Sequence, residues 1–283
     1  MAAKSDITYI TATSEVGHCS PVNIPRVLWG NRGLLRTLTM QELRSRYSGS
    51  FLGLGWMLFI PLFQLAIYTF VFGYIYRVGQ TGDGMLGYAL SLFCGFVPFI
   101  MFSESLGSAP NRIIGQPNFV KKVVFPLEIL PLVTMSVAAI HALGAMLVLF
   151  LALCVFGEGV HFTVLWLPLL VVAPVLIVIG LSWILSALGV YLRDLTATIQ
   201  LVIQFVFFLT PITYPLSFVP EKFLMIYRLN PLVGIVESFR SVILVGQQPL
   251  LIDVFYPLLC GIFFVIVGFY YFQSLRRTFA DVI

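Results

Sequence analysis

Residues 129–156 read ILPLVTMSVAAIHALGAMLVLFLALCVF, a continuous apolar run of 28 residues. The stretch contains one histidine, His141, and no aspartate, glutamate, lysine or arginine. An α-helix needs about 20 apolar residues to cross the hydrocarbon core of a bilayer, and a longer helix can tilt. The sequence therefore predicts a membrane-spanning helix here. As an ionisable residue inside a span, His141 is a candidate functional residue, and the alternative, which the sequence favours, is that it hydrogen-bonds a neighbouring helix.

Five other stretches have the same character. The chain has 283 residues, of which 59% are hydrophobic and only 10% are charged, whereas about a quarter of a soluble protein is charged. The sequence therefore predicts an all-α integral membrane protein with six transmembrane helices. Besides residues 129–156, the predicted spans cover approximately residues 51–76, 86–106, 164–191, 198–211 and 254–272.

The segments outside the spans predict the topology. Residues 1–25 form a polar tail without an apolar signal region, and residues 26–283 form the transmembrane domain. Residues 26–48 mix leucines with arginines, which predicts an amphipathic helix in the headgroup region, or a solvated helix packed on a partner. Lys and Arg concentrate on one side of the predicted spans, so the positive-inside rule places both termini in the cytoplasm.

Two connections are too long to be simple turns. The basic loop 107–128 is predicted to be cytoplasmic, and the segment 211–251 is predicted to be external. The segment contains Pro211, Pro215, Pro220, Pro231 and Pro249. Its apolar parts are too short to span, so they predict re-entrant helices, which require protein or a water-filled cavity to cover their backbone.

Several kinds of chemistry are absent from the sequence. No G-x-x-x-x-G-K-[ST] phosphate-binding motif occurs, and neither does H-E-x-x-H or G-x-S-x-G. The carboxylates are scattered, which disfavours a proton relay, and the basic residues lie between apolar runs, where they set topology rather than bind nucleic acid. The chain is therefore predicted to bind no cofactor or metal, and any uphill transport must be driven by another subunit.

Three boxes carry a family resemblance. Residues 46–61 read RYSGSFLGLGWMLFIP, residues 118–131 read NFVKKVVFPLEILP, and LRDL at 192–195 is followed by TPITYP at 210–215 and NPL at 230–232. Together these boxes resemble the membrane subunits of ABC exporters for bacterial polysaccharides such as O-antigen, capsule and teichoic acid.

The resemblance implies a homodimeric channel with two cytoplasmic ATPase subunits, which would hold the ATP and Mg²⁺. It also implies that the loop carries a short coupling helix, although the loop could instead simply meet lipid headgroups. The predicted coupling residues are Asn111, Arg112, Gln116, Asn118, Lys121 and Lys122. The predicted external gate consists of Pro211, Tyr214, Pro215, Pro220, Asn230, Pro231 and Arg240.

Aromatic side chains make up 15% of the sequence. Aromatic rings can stack on the apolar C–H faces of sugars without a fixed register, so a polymer could slide along them. Rings in membrane helices can equally face lipid or pack between helices. The predicted channel-lining aromatics are Phe59, Phe63, Phe70, Tyr74, Phe96, Phe99, Phe205 and Phe208.

These features predict the permease subunit of an exporter for undecaprenyl-linked polysaccharide, with O-antigen as the leading cargo, in the bacterial cytoplasmic membrane. One alternative is an ABC permease for a drug or a small lipid. Another is a membrane enzyme that acts on lipid-linked sugars, for which the carboxylates are too dispersed. A secondary transporter is disfavoured because no ionisable relay lies within the spans.

Overall fold

The computed structural model describes residues 24–75, 84–121, 125–156 and 159–283. Within these ranges the chain is helical and contains no β-strand. The first seven α-helices are α1 (Ile24–Gly30), α2 (Arg32–Tyr47), α3 (Trp56–Tyr68), α4 (Gly84–Ser108), α5 (Asn111–Ile114), α6 (Pro117–Lys121) and α7 (Ile129–Phe156). The others are α8 (Leu167–Leu170), α9 (Val172–Tyr191), α10 (Leu195–Leu209), α11 (Glu221–Leu229), α12 (Pro231–Arg240), α13 (Leu251–Leu275) and α14 (Phe279–Val282).

Five helical segments in the described ranges are long and apolar enough to cross a membrane, which confirms the all-α membrane class. They are Gly53–Val71, Leu86–Ser108, Ile129–Phe156, Phe162–Tyr191 and Leu251–Val282. The apolar helix α10 has 15 residues and measures about 22 Å at 1.5 Å per residue, less than the roughly 30 Å of the hydrocarbon core. The sixth span therefore stays a prediction.

The segments around the spans are also helical. The predicted interface helix consists of α1 and α2, which are separated at Asn31, and α2 packs on α7. The 107–128 loop contains the two short helices α5 and α6, and the 211–251 segment contains α11, α12 and a π-helical turn at Ser241–Val245. Whether the 211–251 segment re-enters the membrane stays a prediction. The predicted tail falls almost wholly on residues 1–23, which lie outside the described residues.

Helix α4 lies at the centre of the bundle. It packs against α7, α9, α10 and α12, and against the first span on another side. Most residues of α4 are buried, whereas few residues of the first span are. The first span and α10 therefore flank a buried central helix, and both offer apolar faces that this protomer does not cover.

The tightest crossing joins α9 and α13. A Cβ atom placed on Gly180 or on Gly268 would lie less than 3.0 Å from the backbone of the other helix. Membrane helices commonly use small residues in this way, because close backbone approach increases van der Waals contact. Beside the crossing, the buried ring of Trp183 makes an edge contact with Phe269, with centroids 5.3 Å apart.

The C-terminal end is tied to the start of α7 by an ion pair. Arg276 Nη1 lies 3.1 Å from the buried Glu128 Oε2, and Arg276 Nη2 donates to the Phe125 carbonyl. The Glu128 carbonyl accepts a hydrogen bond of 2.9 Å from the Trp183 indole. Glu128 therefore joins α7, α9 and the C-terminal end of α13.

We expect Arg276→Ala to destabilise the protein by about 3 kcal/mol, because it leaves the buried Glu128 carboxylate without its cation. Arg277→Ala is the matched control. Arg277 is exposed and forms no ion pair within the described residues, so its loss should change stability by less than about 0.5 kcal/mol. Thermal unfolding of both variants in detergent measures the difference, and equal melting temperatures would refute the structural role of the pair.

Candidate functional site

The 107–128 loop is held firmly at its start by α9 and α10. Ser186 Oγ donates a hydrogen bond of 2.9 Å to the Ala109 carbonyl, and Gly189 leaves no room for a Cβ beside the Pro110 backbone. Asn111, the residue after Pro110, accepts a hydrogen bond of 3.0 Å at its Oδ1 from Thr196 Oγ1 of α10. A displacement of α5 would therefore be passed directly to α9 and to the start of α10.

The predicted coupling residues differ in how accessible they are. Asn111, Asn118 and Lys121 are exposed and Gln116 is half-buried, while Lys122 lies outside the described residues. Arg112 is half-buried. Its guanidinium contacts Glu42 Oε2 at 2.9 Å and donates to the Leu130 carbonyl at 3.2 Å. Contacts between these residues and an ATPase stay predictions, and Arg112 already joins α5 to α2 and α7 within the protomer.

A polar network connects α2 with the spans. Glu42 lies 3.6 Å from Arg46, and Arg46 forms an ion pair with Glu104 of α4. Glu104 also contacts His141 Nδ1 of α7 at 2.7 Å, and the other ring nitrogen of His141 hydrogen-bonds the Tyr47 hydroxyl at 2.9 Å. The prediction that His141 hydrogen-bonds a neighbouring helix is confirmed. Together with Arg112, these side chains form a continuous path from the 107–128 loop to α4 and α7.

Sequence reasoning did not identify this network. A carboxylate near the end of an apolar run needs a polar partner, so the sequence indicates that Glu104 has one. Its partners lie 58 and 37 residues away in the sequence, and no local spacing points to them.

The ionisation of Glu42 is set by this network. Burial opposes the charged form, but the hydrogen bond and charge of Arg112, with Arg46 beside it, outweigh burial and hold the pKa of Glu42 below its ordinary value. The charged form is therefore favoured in the folded protein. Its stabilising contribution is present above the pKa of the unfolded protein and is lost as the pH falls through the folded value.

We expect Glu42→Gln to lower the melting temperature at pH 7 by about 3 °C, since it removes a charge-assisted hydrogen bond of about 1.5 kcal/mol. The difference from the unmodified protein should begin to shrink as the pH falls below the ordinary glutamate pKa of about 4.3, and should vanish only below the lowered pKa of Glu42 in the folded protein. Melting curves of both proteins between pH 3 and pH 8 provide the measurement. A difference that does not change with pH would contradict the role of the Glu42 charge.

Six of the eight predicted aromatics lie on exposed faces of the protomer. Four belong to the first span and its π-helical continuation Thr69–Ile75, and two belong to α10: Phe59, Phe63, Phe70, Tyr74, Phe205 and Phe208. The rings in the first group stack in pairs, with centroids 6.1 Å apart for Phe59 and Phe63 and 5.9 Å apart for Phe70 and Tyr74. Whether they line a channel stays a prediction.

The other two predicted aromatics, both on α4, are more enclosed. Phe99 is buried, and Phe96 is half-buried between Tyr68 and Phe207 at centroid distances of 5.9 and 6.1 Å. Phe96 therefore joins the first span to α10 through a chain of rings. The exposed aromatic faces of these two elements lie on either side of α4, so they offer a surface suited to the apolar faces of sugars.

Arg240 organises the 211–251 segment. Its buried guanidinium donates to the carbonyls of Pro211 and Ile212, both at 2.7 Å, to the Ser91 carbonyl at 3.2 Å, and to Glu237 at 2.9 Å. A planar guanidinium can satisfy several acceptors at fixed angles. Arg240 therefore fixes the start of the segment to α4 and α12.

The other predicted gate residues support turns in the same segment. The Asn230 side chain accepts from Leu232 N at the start of α12, where Pro231 occupies the first turn. The Tyr214 hydroxyl lies 2.9 Å from that of Tyr227, and burial and Tyr227 raise the pKa of Tyr214 above its ordinary value. Pro215 and Pro220 precede the short helices Leu216–Phe218 and Glu221–Leu229. A gating role for these residues stays a prediction.

The apolar spans, the exposed aromatic faces and the helical loop tied to the spans by ionic contacts define a multi-pass membrane transport subunit. The chain belongs to the ABC-2 type transporter family, whose model matches residues 33–244. The resemblance stated from the three sequence boxes is thereby confirmed.

The chain is similar to proteins with closely related names. It is 31% identical over 252 residues to the "O-antigen export system permease protein RfbA" of Klebsiella pneumoniae, covering 88% of this chain and 95% of that protein. It is 30% identical over 233 residues to the protein of the same name from Myxococcus xanthus, covering 81% and 86%. It is 25% identical over 224 residues to the "Polysialic acid transport protein KpsM" of Escherichia coli, covering 75% and 81%.

Proposed function

We propose that this chain is the permease subunit of an ATP-driven exporter that moves lipid-linked polysaccharide, with O-antigen as the leading cargo, across the bacterial cytoplasmic membrane. The observation that carries the proposal is its similarity, over nearly the full length of both chains, to permeases named for O-antigen export. The exposed aromatic faces beside α4 support a sugar polymer as cargo, because rings bind sugar C–H faces without fixing the register.

Two copies of the chain would assemble with two copies of a cytoplasmic ATPase. The uncovered aromatic faces of the first span and α10 support a homodimer, since a second copy facing them would complete a channel. The absence of a phosphate-binding motif from the sequence supports ATP hydrolysis by a separate subunit. ATP and Mg²⁺ would be held by the ATPase, whereas this chain would contact lipid and the undecaprenyl-linked polymer.

Coupling would proceed through the 107–128 loop. When the ATPases close on ATP, their movement would displace α5 and α6. The hydrogen bonds of Ala109 with α9 and of Asn111 with α10, and the ion pair of Arg112 with Glu42, would provide the mechanical connection. The resulting shift of the spans would advance the polymer, and the 211–251 segment would open to release it on the outside.

The proposal is tested by deleting the gene for this chain and following the host's surface polysaccharide. We expect loss of surface polymer and accumulation of the lipid-linked polymer inside the cell. An affinity-tagged copy should restore surface polymer and co-purify with an ATPase in equal numbers. Unchanged surface polymer in the deletion strain, with altered resistance to a drug or altered export of a small lipid, would refute the polysaccharide assignment.

A further inference from the structure

A polar cavity of about 570 Å³ lies between the beginning of α4 and the end of α12, on the side predicted to be external. None of the predicted channel-lining aromatics contributes to it. Its lining includes Ser91, His161, Glu237, Arg240, Ser241 and Val245. Its volume lies within the range of about 300–1,000 Å³ that small-molecule sites occupy.

The polar groups of the cavity are fixed in place, and some of them have hydrogen-bonding capacity left for a ligand. Glu237 Oε1 accepts from Arg240 Nη1 at 2.9 Å, and Arg240 is held in turn by three backbone carbonyls. Glu237 Oε2 and the hydroxyls of Ser91 and Ser241 form no hydrogen bond with any described residue. His161 packs closely against Gly246, which has a positive φ of 71° and leaves no space for a side chain.

This arrangement suits hydroxyl groups. A sugar hydroxyl both donates and accepts, so it can donate to a carboxylate while accepting from a serine hydroxyl or an imidazole N–H. The charges of Glu237 and Arg240 compensate each other, which leaves the cavity without the excess positive charge that uronic or sialic acids would require. The chemistry therefore favours a neutral sugar.

We propose that this cavity binds one or two neutral sugar residues of the exported polymer at the outer end of its path. The inference rests on the proposed function and adds a specific binding site to it. Sliding along aromatic rings needs no fixed register, whereas hydrogen bonds in this cavity would hold the polymer at one position. A sugar residue bound there would keep the polymer from slipping back while the ATPases reset.

The test uses the assembled exporter in cells whose polymer carries a radioactive sugar label. Val245→p-benzoylphenylalanine places a photoreactive group at the border of the cavity, where Val245 is 58% exposed. Leu259→p-benzoylphenylalanine is the matched control, since Leu259 is 64% exposed on α13 and does not line the cavity. We expect illumination to attach labelled polymer at position 245 with at least tenfold higher yield than at position 259.

A second variant tests the polar contacts without changing side-chain size. Glu237→Gln, combined with the photoreactive group at position 245, should lower the yield of polymer adduct about tenfold, as expected for the loss of one charge-assisted hydrogen bond. Continued export with no adduct at position 245, or with an adduct unaffected by Glu237→Gln, would overturn the cavity assignment and leave the proposed function intact. An adduct formed only by polymer rich in acidic sugars would overturn the preference for neutral sugars. If the unmodified exporter exported no polysaccharide, both the cavity assignment and the proposed function would be overturned.

Discussion

Replacing Gly268 with valine is expected to prevent the protein from reaching its folded state. A single Cβ at this position would already lie less than 3.0 Å from the backbone of Gly180, and valine adds two methyl groups. Backbone atoms cannot turn away as a flexible side chain can, so α9 and α13 would have to separate. These two helices share the largest helix–helix contact among the described residues, and we expect a loss of at least about 3 kcal/mol.

The measurement is the amount of monodisperse protein that is recovered in detergent and its melting temperature. Val267→Leu is the matched control, because Val267 is the neighbouring residue on α13 and is exposed. This control should be recovered at normal yield. If Gly268→Val were recovered with an unchanged melting temperature, the close α9–α13 crossing could not be correct.

Replacing Arg240 with lysine is expected to reduce export at least tenfold, although the positive charge is kept. Lysine can still pair with Glu237, but its single ammonium group cannot reproduce the fork that reaches both the Pro211 and Ile212 carbonyls. Buried carbonyls left without donors cost about 1–3 kcal/mol each. The start of the 211–251 segment should therefore detach from α4 and α12.

Labelling of a cysteine introduced at Thr213 reports this detachment, because the Thr213 carbonyl accepts a hydrogen bond from the Tyr88 hydroxyl of α4. We expect faster reaction with a membrane-impermeant maleimide in Arg240→Lys than in the parent. Arg228→Lys is the control, since Arg228 is exposed on α11 and its substitution should leave both export and labelling unchanged. Normal export by Arg240→Lys would show that the two carbonyl contacts are dispensable.

The helices were largely predictable from the sequence because lipid demands long apolar runs. The predicted span 129–156 coincides with α7, and the span predicted from residue 164 corresponds to Phe162–Tyr191. The break between α1 and α2 at Asn31 was not predicted, because both sides of it share one mixed pattern of leucine and arginine.

The candidate site was less predictable, because its contacts depend on tertiary packing. The spacing of Phe96 and Phe99 along α4 matches that of an exposed aromatic row, but α10 covers them. Arg112 was predicted to contact an ATPase from its place in a basic loop, and only the fold shows its ion pair with Glu42. Helical spacing shows which residues share a face, but it does not show which helix covers that face.

The proposal that this chain moves polymer only when a separate ATPase drives it is tested most directly in inverted membrane vesicles. The vesicles would contain this chain with its co-purifying ATPase and be supplied with labelled lipid-linked polymer. We predict that polymer enters the lumen with ATP, and that it fails to enter with a non-hydrolysable analogue or with an ATPase that lacks its phosphate-binding lysine. Polymer entry into vesicles that contain this chain without any ATPase would contradict the proposal.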